Sequence, residues 1–321
     1  MNILENLYTI ESSSDLLILK LGLYLSLAFA IPFLALLFTS TRFSIIHFKK
    51  AKSLQNDDYL AFSKFLSEIV TKFWFRFLFG VLPMFGAVFF YTQLYAKQIP
   101  GAAGNLLLAF ILFMVGLCLI VFSKSVFTSK KVEEITNTFP MKVSCIGTFL
   151  VLFASFILLA YLQLPISRGG DSFLQVLFSA NSIMYLLLFI SLAFGLTSAV
   201  IVAKLNRSTQ KNYTDYGRSF ATQTGMIFSF LHPLLYVLII LSTPVQGLSF
   251  MYFGAATIVL LLMLFGSIQF YAGFKEKDSR STSIVLVFVL IISVMIYSSQ
   301  VASETAAKKE IIQKGEVELF S

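Results

Sequence analysis

Two histidines, two cysteines and nine methionines are the side chains in this 321-residue sequence best suited to metal or redox chemistry. His232 is followed at once by Pro233, in the middle of a long apolar run. A proline inside a helix removes one backbone hydrogen bond and frees a carbonyl one turn back. An imidazole at that depth is costly, which makes it a functional candidate by default. Neutral, it could ligate a haem iron, hydrogen-bond a quinol or satisfy the backbone defect beside it. His47 comes just after the first apolar run, beside Lys49 and Lys50, and reads as an interfacial residue. The two histidines lie at depths that differ by roughly half a membrane, which argues against a bis-histidine haem. A His/Met haem would draw on Met84, Met114, Met184 or Met226. Cys118 and Cys145 fall within apolar runs and read as small hydrophobes rather than a disulfide or metal pair.

The elements that must position these residues are membrane helices. The chain is 57% hydrophobic and 12% charged, with a mean hydropathy of +0.84, which excludes a soluble globular domain. A hydrocarbon core about 30 Å thick takes roughly 20 apolar residues per helix. Runs of that kind predict spans at Leu16–Phe38, Phe73–Tyr95, Asn105–Phe122, Val143–Leu164, Ile183–Ala203, Ser219–Leu241, Phe250–Phe274 and Ser283–Val301. Alternating patterns of about ten residues, the mark of a transmembrane barrel, are missing. The expected fold is therefore an all-α integral membrane protein of about eight transmembrane helices.

The net charge of +8 is a topology signal. Most of the 24 basic residues fall in alternate loops, among them Lys49, Lys50 and Lys52, then Lys130 and Lys131, Lys204 and Arg207, and Lys275. The opposite short loops hold Lys97 and Arg168. By the positive-inside rule both termini lie outside the cytoplasm. Acidic Glu5, Glu11 and Asp15 precede the first span and basic residues follow it, the reverse of a signal peptide, so the span is retained. The lipid bilayer is the expected partner, and nucleic acid is not. Acidic residues such as Glu133, Glu134 and Asp171 sit in loops, which leaves proton-driven transport without a membrane-embedded relay. Gly80, Gly86, Gly104, Gly116, Gly195, Gly225, Gly254 and Gly266 read as helix-packing positions.

The two halves share themes. Ser26-Leu27-Ala28-Phe29 recurs as Ser191-Leu192-Ala193-Phe194, and Asn56-Asp57-Asp58-Tyr59 is echoed by Asn212-Tyr213-Thr214-Asp215-Tyr216. Pro83 and Pro233 fall within the second and sixth spans. The pattern suggests two parallel four-helix repeats, at residues 1–164 and 165–301, with a tail at 302–321. Between the first two spans, Asp57–Lys72 predicts an amphipathic helix at the cytoplasmic face. Lys20 is expected to snorkel, with Asp15 as its possible partner.

Two stretches carry family resemblances. Lys72-Phe73-Trp74-Phe75-Arg76-Phe77-Leu78-Phe79-Gly80-Val81, after a basic segment, resembles the N-terminal part of cytochrome bd oxidase subunit I. The intramembrane histidines, axial methionine and glutamates of that family do not recur, so oxygen reduction is not implied. Lys314-Gly315-Glu316-Val317-Glu318-Leu319-Phe320-Ser321 resembles the opening of class I c-type cytochromes, which forms their first helix. In that family a haem-attaching Cys-x-x-Cys-His comes next, so the resemblance implies a haem c domain beyond Ser321. Together these imply a bacterial inner-membrane subunit with redox partner proteins. Its membrane part would use His232 for any haem b or quinone role. The alternatives are a redox-inactive scaffold and a small-molecule permease.

Overall fold

The computed structural model of the chain is all-α and describes residues 13–95, 99, 101–124, 132, 138–167, 172–206, 213–276 and 281–320. Among the described residues eight helices are long and apolar enough to cross a membrane. Helix α1 (Ser13–Leu54) is followed by α2 (Asp57–Glu68) and α3 (Phe73–Arg76). A π-turn at Phe77–Val81 joins α3 to α4 (Leu82–Tyr95). The wide turn comes just before Pro83, whose missing N–H and bulky ring break the regular ladder there. Then come α5 (Ala102–Phe122), α6 (Phe139–Ser167) and the short α7 (Phe173–Leu177). The second half holds α8 (Ala180–Asn206), α9 (Thr214–Ser242), α10 (Phe250–Glu276) and α11 (Ser281–Phe320).

Neighbour relations repeat between the halves. Helices α1, α4, α5 and α6 pack in sequence and close as α6 returns to α1; α8, α9, α10 and α11 do the same. Helices α1, α6, α8 and α11 also touch across the halves and form the centre. The most apolar stretches of α1, α6 and α8 are 61%, 67% and 67% buried, against 28% for the Phe73–Tyr95 span and for α9, which leaves the latter two more exposed to lipid. The two similar quartets occupy matching places. Ser26 lies against Gly86 of α4, and Ser191 Oγ donates to the Phe228 carbonyl of α9 at 3.3 Å. Phe29 packs edge-on to Phe79 at 5.7 Å, and Phe194 stacks on Phe228 at 4.4 Å.

Helices α5 and α6 cross backbone to backbone at a pair of glycines. A Cβ on Gly116 would stand 2.8 Å from the Gly147 carbonyl oxygen, and one on Gly147 equally close to that of Gly116. Only glycine lets two backbones meet this way. Gly104 and Gly254, expected as packing positions, have open space where a Cβ would go.

Charged layers mark the membrane boundaries. Lys20 pairs with Glu304 of α11 at 2.9 Å. At the far end Lys49 of α1 stands level with Lys142 of α6. The helix between Lys20 and Lys49 is roughly 43 Å long at 1.5 Å per residue, close to the about 40–45 Å of a bilayer with its headgroups. The crossing part of α1 therefore runs further along than the predicted Leu16–Phe38.

Helix α2 forms where its pattern predicts, capped by Asn56, whose side chain accepts from the Asp58 N–H at 2.8 Å. Its apolar side does not lie on lipid. Leu60, Phe62 and Leu66 are buried against the protein. Ser44 Oγ donates to the Ser63 carbonyl at 2.8 Å and Ser63 Oγ to the Ser44 carbonyl at 2.6 Å, which locks α2 to α1.

Candidate functional site

Helix α9 carries one inward stripe, Gly225, Ser229, His232, Tyr236 and Ile239, at the three- and four-residue spacing of a single helix face. This places His232 inside the second four-helix half, with no exposure at all. Its ring meets Phe288 of α11 edge-on at 5.5 Å. Across from it, a Cβ on Gly195 of α8 would stand 2.8 Å from the imidazole Cε1, so glycine is what lets α8 approach the ring. Neither Nδ1 nor Nε2 has a hydrogen-bond partner. The Ser191 backbone faces the ring without reaching bonding geometry.

The backbone defect made by Pro233 is repaired by another residue. The carbonyl it frees is that of Ser229, which Ser267 Oγ of α10 reaches at 2.9 Å, its one proton shared with the Met263 carbonyl at 3.0 Å. Further along the stripe, Tyr236 donates to Ser298 of α11 at 3.4 Å. His232 is thus relieved of the structural task the sequence offered it. Its two nitrogens remain the unsatisfied polar atoms of an otherwise bonded stripe, and buried polar atoms of this kind call for a partner.

The chemistry of an unpartnered imidazole suits an axial ligand, but the space beside it does not suit a haem. Phe288 packs against Gly195 and His232, and Phe270 fills the hollow at Gly225. A macrocycle would have to displace both rings. The four methionines considered as second ligand also stand elsewhere. Met226 is six residues away on the same helix, roughly 9 Å along it and on another face. Met184 precedes Gly195 on α8 by about 16 Å of helix. Met84 and Met114 belong to α4 and α5 in the other half. The residues present therefore do not fit a haem at His232.

His47 departs from its sequence reading. It lies at the membrane boundary, yet only 1% of it is exposed. Nδ1 bonds the Phe43 carbonyl at 2.9 Å and Nε2 the Tyr216 hydroxyl of α9 at 3.0 Å. A carbonyl only accepts, so Nδ1 carries the proton, and in the neutral ring Nε2 accepts from Tyr216. Phe220 and Phe62 meet the imidazole edge-on at 4.6 and 4.8 Å. Tyr59 meets Tyr216 at 4.9 Å, and the Lys50 ammonium sits over both rings, 4.4 and 5.4 Å from their centroids. The two loops with similar sequences thus converge on one another through these tyrosines. That shared Asp-to-Tyr theme was the available signal, but nothing in either loop says that the two tyrosines face each other.

Tyr216 and His232 are separated on α9 by roughly 24 Å of helix, so His47 and His232 belong to distinct sites. Cys118 is exposed on α5 and Cys145 half-buried on α6, both with free thiols. A narrow crevice of about 40 Å³, room for a water or two, opens between the halves beside Tyr91, Tyr95, Gln163 and Gln300. In the same region Tyr91 donates to the Tyr161 carbonyl and Asn105 to the Tyr161 hydroxyl. The chain matches no known family model and no curated protein.

Proposed function

We propose that this chain is the membrane-embedded anchor of an electron-transfer subunit, carrying or docking a c-type cytochrome where its last helix emerges. The observation behind this reading is the form of α11. It runs unbroken from Ser281 to Phe320, roughly 60 Å at 1.5 Å per residue, about twice the hydrocarbon thickness. Its root is tied down. Lys309 donates to the carbonyls of Val245 and Leu248 at 3.2 and 3.1 Å. Thr305 bonds Ser249 at 3.3 Å, and Glu304 holds Lys20. A helix held at its base keeps a carrier at its far end within a set distance of the membrane, which raises the effective concentration of that carrier near its donor. The cytochrome-like segment Lys314–Ser321 supplies the redox part of the reading. The charge asymmetry supports an inner-membrane orientation with both termini in the periplasm. Electrons would arrive from quinol or a partner complex, and His232 would offer a hydrogen bond rather than a haem ligand.

A second reading, a redox-inactive scaffold, is favoured by the dense aromatic packing around His232. A pyridine haemochrome spectrum of the full-length protein from native membranes separates the two. A c-type band is the expected result. Absence of any haem overturns the anchor reading and leaves the scaffold. A purely b-type band would return a haem to the bundle and require Phe270 and Phe288 to move.

A further inference from the structure

At the Lys49 end of the bundle, a groove of about 680 Å³ opens between the end of α1 and the start of α6. Lys49 and Lys52, three residues apart on one face of α1, enter it from one side, and Lys142 from the other. None of the three forms an ion pair among the described residues. Lys50, between them in sequence, turns instead to the Tyr59 and Tyr216 rings, so the grouping of the other lysines belongs to this groove. The wall below them is apolar. Phe48 and Met141 back it and are almost fully buried, and Ile146, 57% exposed, supplies its apolar surface. Ser53 and Thr138 add hydroxyl donors at the charged end.

The geometry points to a binding site for one anionic phospholipid, its phosphate among Lys49, Lys52 and Lys142 and an acyl chain along Ile146. Charge and shape select this occupant together. A neutral lipid leaves the three lysines without a counter-charge among the described residues, and a soluble anion leaves the exposed Ile146 uncovered. The groove also lies at the charged layer that marks the bilayer boundary, where basic pockets between helices meet lipid headgroups. The inference is independent of the electron-transfer reading.

Native mass spectrometry of the full-length protein, with dioleoylphosphatidylglycerol or dioleoylphosphatidylcholine added, tests it. One phosphatidylglycerol should be retained in preference to phosphatidylcholine. Each Lys→Gln change at 49, 52 or 142 should weaken retention about fivefold, the ratio matching about 1 kcal/mol per basic residue. The triple Lys→Arg variant should keep the lipid. Equal retention of the two lipids, or unchanged retention in the triple Lys→Gln variant, overturns the proposal. Displacement of the lipid by millimolar inorganic phosphate also overturns it, in favour of a soluble-anion site. A second readout uses Cys145, which lines the groove. In a Cys118→Ala background, its maleimide labelling should be slower in nanodiscs containing phosphatidylglycerol than in phosphatidylcholine alone. Equal rates count against the site.

Discussion

His47 and His232 are both buried in an α-helical membrane bundle, one at its edge and one in its interior, and their surroundings differ in kind. At His47 every polar atom of the ring is engaged, by a carbonyl of its own helix and a tyrosine from the opposite half. At His232 the serine and the tyrosine along the stripe are bonded, while neither imidazole nitrogen reaches a well-formed hydrogen bond. The first arrangement is a clasp between halves: α1 and α2 supply His47, Lys50, Tyr59 and Phe62, and α9 supplies Tyr216 and Phe220. The second is a polar group inside one half, beside the Ser191 backbone but without a well-formed hydrogen bond. Burial alone would have ranked the two residues together. Their hydrogen bonds separate a structural histidine from a candidate functional one.

The comparison can be tested by substitution, beginning with the largest expected effect. Gly195→Leu drives a side chain into His232 and Phe288 and should destabilise the protein by about 3 kcal/mol, the upper end for overpacking; thermal unfolding in detergent reads it. His47→Leu should cost about 2 kcal/mol, because it removes two bonds and leaves the partly buried Tyr216 hydroxyl to find another partner. Combining it with Tyr216→Phe should cost less than the two separate losses added, and a strictly additive cycle would break the clasp. His232→Leu should change stability in the opposite sense or not at all, by up to about 1 kcal/mol, since it removes a buried group with no partner. A marked loss of stability on that change, in protein from native membranes, would reveal a ligand bound to the ring.

Ser267→Ala sharpens the role of the Pro233 defect. It strands the Ser229 carbonyl and should cost about 0.6 kcal/mol, a typical hydrogen bond between membrane helices. Spectroscopic evidence that His232 then takes over that carbonyl would show how near it stands to the structural role. Smallest of all, Glu304→Gln should cost about 0.3 kcal/mol and lose its effect in high salt, because the Lys20 pair is partly exposed.

Much of this molecule was legible as sequence because membrane helices announce themselves locally. Length and apolarity mark each span, and the proposed positions of α5, α6, α8, α9 and α10 differ from the observed helices by a few residues at either end. The amphipathic pattern of Asp57–Lys72 predicted α2, but its apolar face could not say whether lipid or protein would cover it. Lys20 shows the same limit. The sequence offered its local neighbour Asp15, and nothing local pointed to Glu304 of α11, far along the chain, with which it pairs.

What the sequence by itself determined is the class of the protein, the number of its spans and the depth of His232 within one of them. These properties reflect the thickness of a bilayer and the expense of an unsatisfied backbone in hydrocarbon, which act on each segment separately. Only the tertiary structure decided which carbonyl Ser267 repairs, which histidine Tyr216 binds, and which lysines converge on the groove at Cys145. Those outcomes depend on the rotation and register of packed helices. Helix packing is set by side-chain fit between distant segments, and no local pattern encodes it.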